Sequence, residues 1–456
     1  MPAGVRKGDP FQMLDTESAR QRACALVDRA VKAGADAADA SYSGSASETI
    51  QIRLGKLEDV ERSEGEHVTL RVFVGKRSAS IGSSDLSDAA LDELAARAID
   101  MARAAPEDKY AGLAPEELLS SGPFPDLDML DEAPLSPAQL RDLAHEAEDA
   151  ARAIAGVTNS EGAGASAGRS VAALATSHGF DGVSAGTSRS LSAVMVAGEG
   201  SAMQRDHASR QARYHADLPT PAEIGTLAGE RAVARLNPGR VKSGPMTVVF
   251  DPRAAGSLIG HLIGAISGPS IARRASFLLD RLDDQLFDSA VTIAEDPLRP
   301  RGLRSRPFDG EGLATAPRNL VEGGRLTGWL LDSASARQLD LTPTGHATRG
   351  GGVTVGNVAL EAGSVSVEEL IADIAEGVYV TELIGHGVNG VTGDYSRGAS
   401  GFRIAGGKLA GPIAEFTVAG NLVDMFAALT PASDLERFRG IDTPTVRIDG
   451  MSVAGD

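Results

Sequence analysis

The chain has 456 residues, a formal charge of −18 and a single cysteine, Cys24. A broadly acidic surface repels nucleic-acid phosphates, and one cysteine excludes both an intramolecular disulfide and a zinc site built on several thiolates. No run of about 18 apolar residues is present to cross a membrane, and Met1 to Asp15 lacks the apolar stretch of a signal peptide, so the expected location is cytoplasmic.

Two or three domains are expected at roughly 100–200 residues each. Hydrophobic residues make up 42% but aromatics only 4%, so the core is expected to be mostly Leu, Val, Ile and Ala. The first element is a helix with Ala23, Leu26, Val27, Ala30 and Val31 at helical spacing. Thr16 or Ser18 is its expected cap and Gly34 its stop. Strand-like alternation follows in residues 38–81, with turns at Gly55-Lys56 and Gly75-Lys76, predicting an antiparallel meander. A helix over Ser87 to Ala104 buries Ala90, Leu91, Leu94, Ala95 and Ala98. Cys24 reads as a small buried residue of the first helix.

Residues 105–135, rich in Pro, Asp, Glu and Gly, read as a connecting loop. A helix over Ser136 to Ile154 opens on Ser-Pro, residues 157–214 suit long antiparallel strands, and a helix spans Pro221 to Leu236. Pro238-Gly239 marks a boundary. Beyond it come a buried strand, Met246 to Phe250, a helix over Pro252 to Ile266, and strands broken by glycine-rich turns. Those turns fall at Gly323-Gly324, Gly350 to Gly352, Gly385 to Gly390 and Gly398 to Gly401. The fold class is therefore α+β: an N-terminal α+β domain over residues 1–240 and a β-rich C-terminal domain over 241–456.

None of the eight histidines stands four residues from another, the spacing that puts two imidazoles on one helix face. His145-Glu146 opens like a zinc-protease motif, but Asp149 holds the second-ligand position. His207 and His215 read as surface residues. There is no Gly-x-Ser-x-Gly for a serine hydrolase, and no Gly-Lys-Ser/Thr follows the glycines of 162–168 or 350–356 to make a phosphate loop. The stretch Gly393-Asp394-Tyr395-Ser396-Arg397-Gly398 has two readings. Its polar residues between glycines could position a peptide or phosphate, or it is a structural turn in which Asp394 and Arg397 pair.

The run from Thr392 to Ala399, Gly401-Phe402, and Pro412 to Leu422 resembles the C-terminal signature of PmbA/TldE proteins of the TldD/PmbA family. The resemblance extends to residues 260–268, 276–280, 307–312, 327–331 and 344–347. In the N-terminal half it includes Gly55-Lys56-Leu57-Glu58 and Ser83 to Ser87. It implies a two-domain fold and assembly as a homo- or heterodimer. Bacterial TldD and TldE pair, trim unfolded peptides, mature microcin precursors and degrade an antitoxin. The family label "modulator of DNA gyrase" comes from that biology and implies no DNA contact. TldD-type sequences carry His-Glu-x-x-x-His on a helix after a strand, completed by a later cysteine.

Against that motif this chain departs. Gly260, His261 and Ala265 stand where His, Glu and His would be, and no cysteine follows. Zinc needs three or four protein ligands and its water a nearby base, so no metal, no catalytic residue and no cofactor are expected in this chain, with zinc on the TldD-type partner. His261 reads as a core or interface histidine. The expectation is a non-catalytic TldE-like subunit of a TldD-type metalloprotease complex. A stand-alone peptidase and a peptide-binding regulatory module remain as alternatives.

Overall fold

The computed structural model describes residues 13–455. Helix α1 (Thr16–Lys32) begins one residue earlier in its capping than expected: Asp15, not Thr16 or Ser18, accepts the Ser18 amide at 2.8 Å. A carboxylate caps as well as a hydroxyl and adds favourable charge at the helix start. The predicted meander follows as β1 (Ala37–Arg53), β2 (Lys56–Val74) and β3 (Arg77–Ser83). Helix α2 (Asp88–Ala104) is capped by Ser87. After the connecting loop come α3 (Pro137–Arg152), β4 (Val157–Thr176), β5 (Asp181–Ala197), β6 (Gln204–Ala212) and α4 (Pro221–Ala234). Both α3 and α4 open on a capping box with Pro in the first turn, using Ser136 with Gln139 and Thr220 with Glu223.

The six strands make one antiparallel sheet in the order β3-β2-β1-β4-β5-β6. Alternation decides its two faces. On β1 the residues Ala38, Ala40 and Tyr42 pack in the core with α1 and α2, while Ile50 and Ile52, on the same side, pack in the core with α3 and α4. All four helices therefore cover one face. The glycines at 162–168 lie inside β4 and not in a turn. Cys24 is partly buried at the margin of the first core, and burial pushes its thiol pKa up. The tip of the β1–β2 hairpin is tied down by Glu148 of α3. This fully buried carboxylate accepts the Leu54 and Gly55 amides, each at 2.7 Å, and the Ser160 hydroxyl at 2.6 Å.

The second half is built from β7 (Gly244–Phe250), α5 (Pro252–Ala265), α6 (Gly268–Ala272), β8 (Ile293–Asp296), β9 (Arg318–Glu322) and β10 (Arg325–Leu326). Next come α7 (Ser333–Leu339), β11 (Asn357–Leu360), α8 (Val367–Ile371), β12 (Glu376–Ile384), β13 (Asp394–Ala405) and β14 (Lys408–Asn421). The last are α9 (Leu422–Ala427), β15 (Leu429–Pro431), β16 (Ile441–Asp442) and β17 (Val446–Ala454). One sheet runs β14-β13-β12-β7-β17-β15, and a further pairing of β14 with β17 joins its two sides into a ring. A second sheet runs β10-β9-β8-β11-β16.

The C-terminal half lies on the face of the large sheet that the helices leave open. Asp39, almost wholly buried on that face, pairs with Arg71 of the sheet and with Arg349, which also donates to the Asp39 and Thr69 carbonyls at 3.2 and 3.1 Å. Arg337 of α7 clamps the connecting loop by donating to the carbonyls of Tyr110, Gly112 and Leu113 at 2.9, 2.8 and 3.0 Å.

Candidate functional site

The site grows from the step between β7 and α5. The Val248-Val249-Phe250 end of β7 is buried and pairs in parallel with β12. The Asp251 amide donates to the Val380 carbonyl at 2.9 Å, and its carboxylate accepts the Arg253 amide at 2.9 Å, which fixes the exit angle of α5. Helix α5 buries Ala254, Ala255, Leu258, Ile259, Leu262 and Ala265, and leaves Gly260, His261 and Gly264 partly or fully exposed. A Cβ added at Gly260 or Gly264 would meet nothing within 4 Å, so open space lies in front of this helix face. The result is a cleft of about 340 Å³ with His261, Phe277, His386, Val388 and Arg397 in its wall.

Residues 394–398 are not the glycine-rich loop that the sequence indicated. Only Gly393, with φ +81°, belongs to a turn; from Asp394 onward the chain is strand β13, laddered to β14 and, from Gly398, also to β12. Asp394 and Arg397 do not pair, because an odd separation along a strand sends them to opposite faces. Asp394 accepts the Thr392 hydroxyl at 2.7 Å and the Asn421 amide at 3.3 Å. Ser396 is exposed, and its amide donates to the Gly387 carbonyl at 2.7 Å. Tyr395 and Arg397 share the inward face. Tyr395, 2% exposed, meets the His261 ring edge-on at a centroid distance of 6.0 Å. Arg397 donates to the Leu383 carbonyl at 3.3 Å. The structure thus brings together His261, Tyr395 and Arg397, two motif regions that sequence spacing kept apart.

The electrostatics of this trio follow from burial. Burial, and then the Arg397 charge, hold the His261 pKa below its ordinary value, so the imidazole is neutral near pH 7. Burial pushes the Tyr395 phenol up to about 12, so it keeps its proton. His261 Nε2, the Tyr395 hydroxyl and Arg397 Nε are all buried without a hydrogen-bond partner, an unusual concentration for a native structure.

Arg397 also lines a larger cleft of about 640 Å³, where β6 and α4 of the first half face α5, β12 and β13 of the second. Here Asp206 accepts from Arg235 at 3.2 Å and Arg253 at 3.0 Å. Burial alone would raise the Asp206 pKa, but Arg253, the His207 amide and Arg235 outweigh it and leave the carboxylate below its usual range. His207 is exposed at the rim, as its polar context predicts, and burial of its ring lowers its pKa. Sequence reasoning singled out neither His386 nor the arginines Arg231 and Arg439 of these walls. They come from separate elements, and no spacing links them.

The donor set does not fit a zinc ion. The smaller cleft offers two imidazoles, His261 and His386, and neither a carboxylate nor a thiol, with a guanidinium beside them. Ala265 has no ligand atom, and among the described residues no group of three His, Cys, Asp or Glu could hold a metal. No helix among them is long and apolar enough to cross a membrane.

Over 422 residues, 92% of each chain, the sequence is 38% identical to Metalloprotease PmbA of Escherichia coli O157:H7. The chain belongs to the PmbA/TldD family. It is also 34% identical to the Metalloprotease PmbA homolog of Haemophilus influenzae, over 96% of both chains. Models of the PmbA/TldA metallopeptidase match residues 38–102 as domain 1, 130–236 as the central domain and 243–455 as the C-terminal domain. Domain 1 and the central domain supply β1–β3 and β4–β6 of one continuous sheet. A crystallised candidate modulator of DNA gyrase from Bacteroides thetaiotaomicron superposes with a TM-score of 0.89 at 28% identity, over 97% of this chain and 100% of that one. TldE from Thermococcus kodakarensis shares the fold, with a TM-score of 0.83 at 22% identity over 94% and 99% of the two chains. The α+β architecture is that of the PmbA/TldD family.

Proposed function

We propose that this chain is a non-catalytic, TldE-like subunit that works with a TldD-type metalloprotease partner on unfolded peptides. The observation that carries this reading is the helix after β7. In the ungapped placement that the family resemblance gives, Gly260, His261 and Ala265 stand where the partner's His, Glu and His would be, and the cleft before them pairs two imidazoles with an arginine. A peptidase of this type needs a polarising metal and a general base at one point, and these residues supply neither. On this reading zinc resides on the partner, the two chains form a heterodimer in the cytoplasm, and this chain acts by closing a chamber, ordering the partner's site or holding an extended peptide. His261 and Arg397 are the residues proposed to meet that peptide, with the buried Tyr395 packed behind the His261 ring.

The test compares peptidase activity of this chain, of a TldD-type partner, and of their mixture, with elemental analysis of each. The expected result is activity in the mixture, little in either chain alone, and no stoichiometric zinc in this chain. Chelator-sensitive cleavage by this chain alone, or equal activity of the partner without it, would overturn the proposal.

A further inference from the structure

The larger cleft has an unbalanced charge. Six arginines line it, Arg205, Arg231, Arg235, Arg253, Arg397 and Arg439, against three carboxylates, Glu161, Asp206 and Glu382. The carboxylates are already engaged. Glu161 pairs with Arg205 at 3.2 Å, Glu382 with Arg235 at 2.5 Å, and Asp206 with both Arg235 and Arg253. The other three arginines make no direct ion pair among the described residues. Arg231 donates to the His207 carbonyl at 3.1 Å, Arg397 reaches only a carbonyl, and Arg439 lies over the Phe438 ring at 4.2 Å. In a chain of net charge −18, three guanidiniums outside any direct ion pair line one depression; Asp206, Asp251 and Asp442 act on Arg231 and Arg439 only at longer range.

Such an arrangement costs free energy unless something anionic completes it. Desolvation without a partner penalises a charge, and burial indeed lowers the pKa of Arg231 and Arg439. An incoming carboxylate would gain charge-assisted, bidentate hydrogen bonds in a low-dielectric cleft. Arg397 stands in the walls of both clefts, and the smaller one presents Phe277 and Val388 beside it.

We propose that Arg231, Arg397 and Arg439 form a carboxylate-binding subsite for acidic peptide segments, with the Phe277 cleft taking an adjacent apolar side chain. This rests on the peptide-handling reading above and gives it a substrate class: extended peptides bearing Asp, Glu or a free C-terminus next to an apolar residue. The acidic exterior repels such peptides, so the cleft concentrates them at one place on the surface.

The test uses the full chain and a fluorescein-labelled hexapeptide with two Glu flanking Leu. Its counterpart is a C-terminally amidated peptide with Gln in place of Glu. Fluorescence anisotropy should show the acidic peptide binding at least tenfold more tightly at low ionic strength, with the preference shrinking as salt is added. Arg231→Gln or Arg439→Gln should each cut the preference about tenfold, the scale of a lost charged hydrogen bond. Arg205→Gln, whose side chain is already paired with Glu161, should change it less than about twofold. If Arg231→Gln disturbs the fold, Arg439→Gln carries the test, since no side-chain hydrogen bond of Arg439 is removed.

Equal binding of the two peptides, or a preference untouched by both variants, overturns the inference. So does displacement of the acidic peptide by equimolar inorganic phosphate, which would mark a small-anion site, or loss of binding once a TldD-type partner is added, which would mark a subunit contact. Binding is read on this chain directly. Its failure therefore leaves the subunit reading to stand or fall on peptidase stimulation.

Discussion

Arg397→Ala separates a structural from a functional role for the residue that lines both clefts. Its folded-state ties are slight: one hydrogen bond to the Leu383 carbonyl at 3.3 Å, at the long end of the useful range, and a buried Nε with no partner. A charged hydrogen bond of good geometry contributes about 1.5–3 kcal/mol, and one this long about 1 kcal/mol, offset by removal of a partly buried, unpaired cation. Stability should therefore change by no more than about 1 kcal/mol, or about 2–4 °C in the melting temperature of a domain this size. The Arg397 charge is one of the two causes holding down the His261 pKa, so its loss should raise that pKa. Arg397→Lys should largely restore it. Histidine NMR titration of the wild type and both variants, with the His261 signal assigned through His261→Asn, reads this directly. In the mixed complex the same Ala variant should lower peptidase stimulation about tenfold, the value of one lost charged contact to a peptide. An unchanged His261 pKa, or a melting temperature lowered by more than about 8 °C, would show that Arg397 is a structural residue and refute the reasoning.

Glu148→Gln should destabilise the chain by about 2–4 kcal/mol, because an amide cannot accept from all three of Leu54, Gly55 and Ser160 and turns a donor toward one of them. Thermal melts measure the loss, and hydrogen exchange should place it at the β1–β2 hairpin. Gly401→Ala should cost at least about 2 kcal/mol, since its Cβ would lie 1.9 Å from the Tyr379 carbonyl oxygen and backbone must move; urea titration checks this. His261 has a depressed folded pKa, so the unfolded chain takes up this proton first, and the contribution present above the ordinary histidine value of about 6.5 is lost as pH falls below it. His261→Asn should accordingly shrink the fall in melting temperature between neutral and mildly acidic pH.

Local signals carried most of the first half. Ser136 with Gln139 and Thr220 with Glu223 announce their helices through caps that depend only on neighbours, and the alternation around Val68 to Val74 survives as strand β2. The misreading of residues 394–398 has a physical cause. Glycine and small polar residues read locally as a turn, yet the segment is strand because its backbone is laddered to β14 and, from Gly398, to β12. The site was half legible. The departures at Gly260, His261 and Ala265 are visible residue by residue, and Arg397 was singled out. Its neighbours Arg231, Arg439 and His386 were not, because α4, the segment before β16 and the turn after β12 meet only in three dimensions.

The ladder of β7 sets an order of events in synthesis. Residues 37–212 can complete the first sheet as soon as they emerge, but residues 244–250 pair with 377–380 and 446–453 and must wait for both. Domains fold as units and N-terminal ones first. The bank of the arginine cleft formed by Arg231 and Arg235 is thus made early. The opposite bank, with Arg397 and Arg439, closes only when the final strand is in place. If the cleft binds acidic peptides as proposed, a nascent chain cannot capture its own unfolded downstream segments there, because the cleft is complete only once none of them remains loose.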